Sequence, residues 1–217
     1  GNGTGIAVGV VDVYSTASNE YDPIGTLGLG QEVKILGVVD GQMWLNWNQS
    51  ISTFGSFPNW VNKWYEIELA SGGHGFVYSA FVFIPRQGEP SPFVACGQKW
   101  VGVDRANQQL HAYCDDVDDD IFQAPVGVGL WNATPLGEYS VWTQVFNATM
   151  SGEGYHVANV LFTMYFYGSY GIHLDWWHDD SDFGNNPTSH GCVGLQLHNA
   201  QWVWFFGFTG MRVRIYE

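Results

Sequence analysis

Short apolar runs separated by Gly, Asn and Asp dominate the chain, and nearly all of them have strand length. Residues 6–14, 32–39, 64–69, 75–83, 99–103, 109–114, 139–146 and 211–216 are rich in Val, Ile, Tyr, Phe or Trp and are bounded by turn formers. β-Branched and aromatic side chains suit a pleated surface, so each run predicts a strand. One helix is expected near the C-terminus, where Asn199 offers an N-cap and 200–206 continue without a breaker until Gly207. The segment 86–95 contains RQGEPSP, with two prolines and almost no apolar content, and reads as a linker. It divides the chain into a first domain, 1–85, and a second, 96–217, both of ordinary domain size.

Composition narrows the function classes. Only 13% of the 217 residues are charged, whereas about 25% is usual. With 11 Trp, 11 Tyr and 14 Phe the chain has ample apolar surface to bury, which excludes disorder. No apolar run approaches the ~20 residues of a transmembrane helix. Seven Lys and Arg against 21 Asp and Glu give a net charge of −14, a field that repels phosphate backbones and anionic lipid. Nucleic acid and membrane surfaces are therefore excluded as expected partners. The sequence begins at Gly1 rather than Met, as in a processed chain. Four N-x-[ST] sequons, at Asn2, Asn48, Asn132 and Asn147, are candidate glycosylation sites. Tryptophans such as Trp60, Trp64, Trp176, Trp177, Trp202 and Trp204 could stack on sugar rings, but in a β-rich fold most tryptophans belong to the core.

The first domain carries Leu27-Gly28-Leu29-Gly30-Gln31-Glu32-Val33-Lys34-Ile35, a turn at Gly41, Met43-Trp44-Leu45 and finally Gly75-Phe76-Val77. This skeleton resembles a bacterial SH3-like domain, which implies a small barrel and no catalysis. Gly30 and Gly41 would supply its tight turns.

The chemistry concentrates in 168–195, GSYGIHLDWWHDDSDFGNNPTSHGCVGL. His173 stands fifteen residues before Ser189-His190-Gly191-Cys192. A nucleophilic Cys needs a base to make thiolate and donors to hold the oxyanion that develops on the attacked carbonyl. Glycine beside the nucleophile lets a carbonyl approach backbone N–H groups closely.

This spacing resembles the L,D-transpeptidase (YkuD-type) catalytic domain, whose signature is His followed 14–17 residues later by [ST]-H-G-C. Lys99-Trp100-Val101-Gly102-Val103-Asp104 with Gln108-Gln109-Leu110 looks like its opening hairpin, and Thr134-Pro135-Leu136-Gly137-Glu138-Tyr139 like its TPxGxf turn. The resemblance implies a mainly β protein, an SH3-like barrel followed by a YkuD-type β-sandwich with one short helix. It implies Cys192 as nucleophile, His173 as its base and His190 as a pocket or supporting residue. Gly191 and Cys192 N–H groups would form the oxyanion hole, with Tyr155 and Ser189 on the substrate side. The implied reaction cleaves the bond before the terminal D-Ala of a peptidoglycan stem tetrapeptide through a thioester. The acyl group then passes to an amine of a neighbouring stem, without cofactor, at a secreted, cell-surface or cell-wall location. Cysteine peptidase action would share this chemistry with water as acceptor. Two positions depart from the pattern. Gly194 stands where the family has Asn or Arg, and Leu174 where it has a small residue, so Leu174 is expected to narrow the donor channel.

Cys96 and Cys114 flank the proposed hairpin and are a candidate disulfide, leaving Cys192 as the free thiol. The acidic run 115–120 lacks EF-hand spacing and reads as a solvated loop. His178-Asp179-Asp180-x-Asp182 lacks the companion ligands of a zinc site, so no metal is expected. The rival to the enzyme is a structural, self-assembling or wall-binding surface protein on the same fold, acting as a homo-oligomer or filament through an exposed edge strand.

Overall fold

A computed structural model describes residues 3–43, 58–115 and 119–217, which divide into two compact units, 1–87 and 88–217. In the first unit the strands are β1 (Gly3–Ala7), β2 (Val11–Val13), β3 (Gly25–Leu27), β4 (Glu32–Asp40), β5 (Lys63–Glu68), β6 (His74–Tyr78) and β7 (Val82–Phe83). An antiparallel sheet runs β6-β5-β4-β1-β7, and β2 pairs with β3 beside it. The continuous strand expected over 6–14 breaks at 8–10. Val8 N–H turns to the Phe81 carbonyl (3.0 Å), which frees the following residues to pair with β3 instead of β4. The run 75–83 is likewise interrupted, by a 3-10 turn at Ser79–Phe81. Gly30 holds a positive φ of 76° where the chain turns into β4, and its N–H reaches the Ala7 carbonyl at 2.8 Å. Trp64 and Tyr78, both fully buried and 5.6 Å apart edge to face, anchor the core of this unit. Trp44, Leu45, Asn2 and Asn48 lie outside the described residues.

The second unit contains β8 (Lys99–Asp104), β9 (Gln109–Cys114), β10 (Phe122–Pro125), β11 (Gly137–Ser140), β12 (Thr143–Gly152), β13 (Tyr155–Tyr167), β14 (Tyr170–Leu174), β15 (Val193–Leu195), the helix α1 (Leu197–Phe206) and β16 (Arg212–Tyr216). Two sheets form, β10-β9-β8-β16-β11 and β12-β13-β14-β15. The expected strand 139–146 is two strands, because buried Val141 bonds Met211 (2.9 Å) and Gly210 (2.7 Å) where the chain passes from one sheet to the other.

The helix begins earlier than its sequence cap suggests. Gln196 is the N-cap, its side chain bonded to Asp180 (2.8 Å) rather than to the helix, and Asn199 lies inside the first turn. Packing overrides capping here, since Trp202 stacks on Phe122 (3.9 Å) and on Phe206 (5.1 Å). Part of the expected linker is docked on this helix. Trp202 Nε1 donates to the Pro90 carbonyl (2.8 Å), Glu89 pairs with His198 (2.8 Å), and Phe93 packs on Phe205 (4.8 Å). Cys96 and Cys114 are joined by a disulfide with Cα atoms 5.4 Å apart, tying the segment before β8 to the end of β9.

Candidate active site

Strands β14 and β15 are parallel neighbours, with Ile172 opposite Val193 and His173 opposite Gly194. That register brings Cys192, the residue before β15, alongside Gly171, whose N–H donates to Cys192 Sγ at 3.5 Å. His173 is buried, and Cys192 is close enough to act on its protonation. Its Nδ1 donates to the Leu174 carbonyl at 2.9 Å, which leaves Nε2 as the unprotonated, accepting nitrogen of the neutral ring. Burial alone would lower the pKa of His173. Cys192, then Asp175 and the Leu174 carbonyl, outweigh burial and hold it above the usual imidazole range. The ring is also stacked against Trp177, with centroids 5.6 Å apart.

The loop that presents Cys192 is held by its own serine. Ser189 Oγ donates to the Cys192 carbonyl (2.6 Å) and accepts the Gly191 N–H (3.0 Å). The Gly191 N–H, expected at the oxyanion hole, is bonded to Ser189 Oγ inside the loop. The Cys192 N–H has no partner among the described residues and is open to an incoming oxygen. Gly191 is required on two counts. Its φ is 140°, and a Cβ there would meet the Tyr170 ring at 2.5–2.8 Å. Buried Thr134, from the TPLGEY segment, accepts the Gly129 N–H (2.8 Å) and donates to the Gly191 carbonyl (3.0 Å). Gly127 and Gly194 exchange backbone bonds of 3.0 and 2.8 Å, and Leu130 N–H reaches the Ser189 carbonyl at 2.8 Å. The catalytic loop is thus clamped along 127–134 on one side and by β14 on the other.

Above Cys192 opens a cavity of about 180 Å³. Thr149, Ser151, Tyr155, Tyr165, Ser169 and Tyr170 bring hydroxyls to it, and Met150 and His190 complete the wall, with no Lys, Arg, Asp or Glu among these residues. Tyr155 stacks on exposed His190, centroids 4.9 Å apart. Burial, the Cys192 charge and Tyr170 all raise the Tyr155 phenol pKa, and burial, Cys192 and Tyr155 raise that of Tyr165, so both stay protonated donors.

The two departures from the family pattern have different outcomes. At Gly194 a Cβ would lie 2.6 Å from Asp175 Oδ2. Asp175 is 3% exposed, and its carboxylate occupies the space a larger side chain would need. It accepts from His178 Nδ1 at 2.7 and 2.9 Å. Burial lowers the His178 pKa, but the bond and charge of Asp175, helped by Asp182, outweigh it and raise the value. Leu174 is fully buried and does not line the cavity, so it does not narrow the approach to Cys192. Thr134, Tyr165, Tyr170 and Asp175 are site residues that the motif did not single out. Thr134 sat inside the TPLGEY match, while the other three require the strand register. Outside the site, the sequon residues Asn132 and Asn147 are exposed. Asp115 accepts the Gln98 N–H (2.7 Å) and Asp120 pairs with His111, while Asp116 and Asp118 lie outside the described residues.

Comparison with known proteins agrees with this architecture. Residues 98–215, more than half the chain, match the L,D-transpeptidase catalytic domain (YkuD), and residues 9–83 match the bacterial SH3 domain. Among solved structures, an L,D-transpeptidase from Mycobacterium tuberculosis H37Rv is 15% identical, with a TM-score of 0.50 over 99% of this chain and 95% of that one. One from Mycobacterium smegmatis is 13% identical, with a TM-score of 0.50 over 85% and 99%. An Enterococcus faecium L,D-transpeptidase is 22% identical, with a TM-score of 0.49 over 56% of this chain, and the match spans only half of that protein's length. No curated protein matches the chain. The tautomer-fixed His173, the clamped SHGC loop and the family match over 98–215 lead to one assignment: the chain belongs to the YkuD L,D-transpeptidase catalytic-domain family, with a bacterial SH3 domain preceding that domain.

Proposed function

We propose that this protein is a peptidoglycan L,D-transpeptidase acting through a Cys192 thioester at the cell surface or in the wall. The observation that carries the reading is a free thiol on an open cavity, in the company of a buried imidazole whose tautomer is fixed by the Leu174 carbonyl. His173 Nε2 takes the Sγ proton, and the thiolate attacks the carbonyl between the diamino acid and the terminal D-Ala. The oxyanion accepts from the Cys192 N–H and the Tyr155 hydroxyl. Collapse breaks the C–N bond, the imidazolium protonates the departing D-Ala amine, and a thioester remains. An acceptor amine then gives a proton to His173, attacks the thioester and expels the thiolate, leaving a 3→3 cross-link. His190 and Ser189 serve as pocket wall and loop staple. A disulfide beside an unpaired thiol fits an oxidising, extracytoplasmic location.

A catalytically silent structural protein on this fold would call for a covered or misdirected thiol. The open cavity and the absence of Leu174 from its wall favour the enzyme. Incubation with a soluble stem tetrapeptide tests the reading by mass spectrometry. Stoichiometric D-Ala release with a cross-linked dimer is expected. Tripeptide without dimer would indicate a peptidase, and no D-Ala release from folded protein would contradict acyl transfer altogether.

A further inference from the structure

Of the nine described tryptophans four are core, fewer than a β-rich fold predicts, and Trp142 is 57% exposed yet held in place. Its backbone N–H is bonded to the Tyr165 carbonyl (2.9 Å) and its indole Nε1 donates to the Gly168 carbonyl (3.2 Å). The ring stacks on Tyr165 at 5.6 Å and 27°, and Tyr165 lines the Cys192 cavity. A second chain of rings reaches the same cavity. Half-exposed Tyr167 lies 5.2 Å from Tyr139 and 6.0 Å from Tyr170, another cavity residue. The strand pattern explains the continuity. Tyr165 and Tyr167 flank buried Phe166 on β13, and β14 pairs Tyr167 with Tyr170 and Tyr165 with Gly171, with a bulge between the two pairs. At Gly171 the missing side chain leaves the Tyr165 ring over the backbone that donates to Cys192 Sγ.

We propose that these rings form a docking track for a β-linked amino-sugar chain, leading from the protein surface to the mouth of the Cys192 cavity. Exposed, pre-ordered aromatic faces offer dispersion and apolar burial to the C–H faces of pyranose rings without a new ordering cost. The hydroxyls of Tyr165, Tyr167 and Tyr170 make no hydrogen bond among the described residues, so each ring also presents an open donor and acceptor to sugar hydroxyl and acetamido groups. The cavity wall offers no Lys or Arg for a phosphate or an anionic lipid. The assignment rests on the peptidoglycan reading in one respect, namely that the peptide entering the cavity is tethered to such a glycan and its sugars must rest just outside.

Titration of the full chain with chitotetraose, a peptide-free β-linked N-acetylglucosamine tetramer, tests the track without turnover. Saturable binding that shifts the Trp142 indole N–H resonance is expected. Trp142→Ala should weaken binding at least tenfold and Tyr167→Ala severalfold. Trp131→Ala should leave it within twofold, since Trp131 is 92% exposed but touches no other ring among the described residues. Absence of binding, an unaffected Trp142→Ala variant, or equal loss in Trp131→Ala overturns the track. Self-association of the wild type that Trp142→Ala abolishes, with no sugar bound, overturns it in favour of a contact between copies. Glycan binding by a protein that never forms an acyl adduct would sink the transpeptidase reading and leave the track standing.

Discussion

The two sides of Cys192 are built from different chemistry. On one side stand His173, Asp175 and His178, buried or half-buried ionisable groups, with His178 bonded to Asp175 and the Asp175 charge acting on His173. Above it the cavity wall is phenols, small hydroxyls, a thioether and one imidazole. The charge that drives proton transfer is therefore kept behind the sheet, where low dielectric strengthens it, and recognition is left to neutral donors. In a chain of net charge −14, this spares an incoming peptide direct contact with fixed carboxylates.

Mutations should divide along that line. His173→Ala removes the base and should slow acylation by about a thousandfold, read as the rate of adduct formation on Cys192. Gly194→Asn restores the family's common residue but drives its side chain into Asp175, so a loss of about a hundredfold is expected together with a lower Tm. If that variant is instead as active as wild type, the buried carboxylate is not fixed where the structure puts it. Tyr155→Phe tests the open side, where loss of one phenol donor should cost about tenfold in rate with the fold intact.

The smallest expected effect is one of pH on stability. His173 and His178 both have raised pKa values in the folded state. Their contribution is complete below the unfolded imidazole value of about 6.5 and is lost as pH rises through the raised values. Tm should therefore fall gently on the alkaline side, and Asp175→Asn should flatten that slope. A slope unchanged by this substitution would separate Asp175 from both histidines.

The parts of this arrangement visible in the sequence were local ones. Ser189-His190-Gly191-Cys192 is a contiguous loop whose glycine has no alternative against Tyr170, and His173 sits at a fixed offset on the neighbouring strand. The disulfide candidate followed from hairpin ends that meet. What stayed hidden depends on register. Asp175 is seen to replace a missing side chain only once β14 and β15 are paired in parallel, and Tyr165 faces the thiol only once β13 folds over Gly171. Sequence reasoning also overstated Leu174, because residue size does not reveal which face of β14 meets the cavity. The helix start and the break at 8–10 were set by packing partners distant in sequence, Phe122 and Phe81, that no local cap or run can announce.

The nucleophilicity of Cys192 is measured in one step by intact-protein mass after incubation with a carbapenem. A single adduct, mapped to Cys192 and absent from Cys192→Ala, is the predicted result. A folded wild type that gains no adduct, or one that gains it equally in Cys192→Ala, would contradict it.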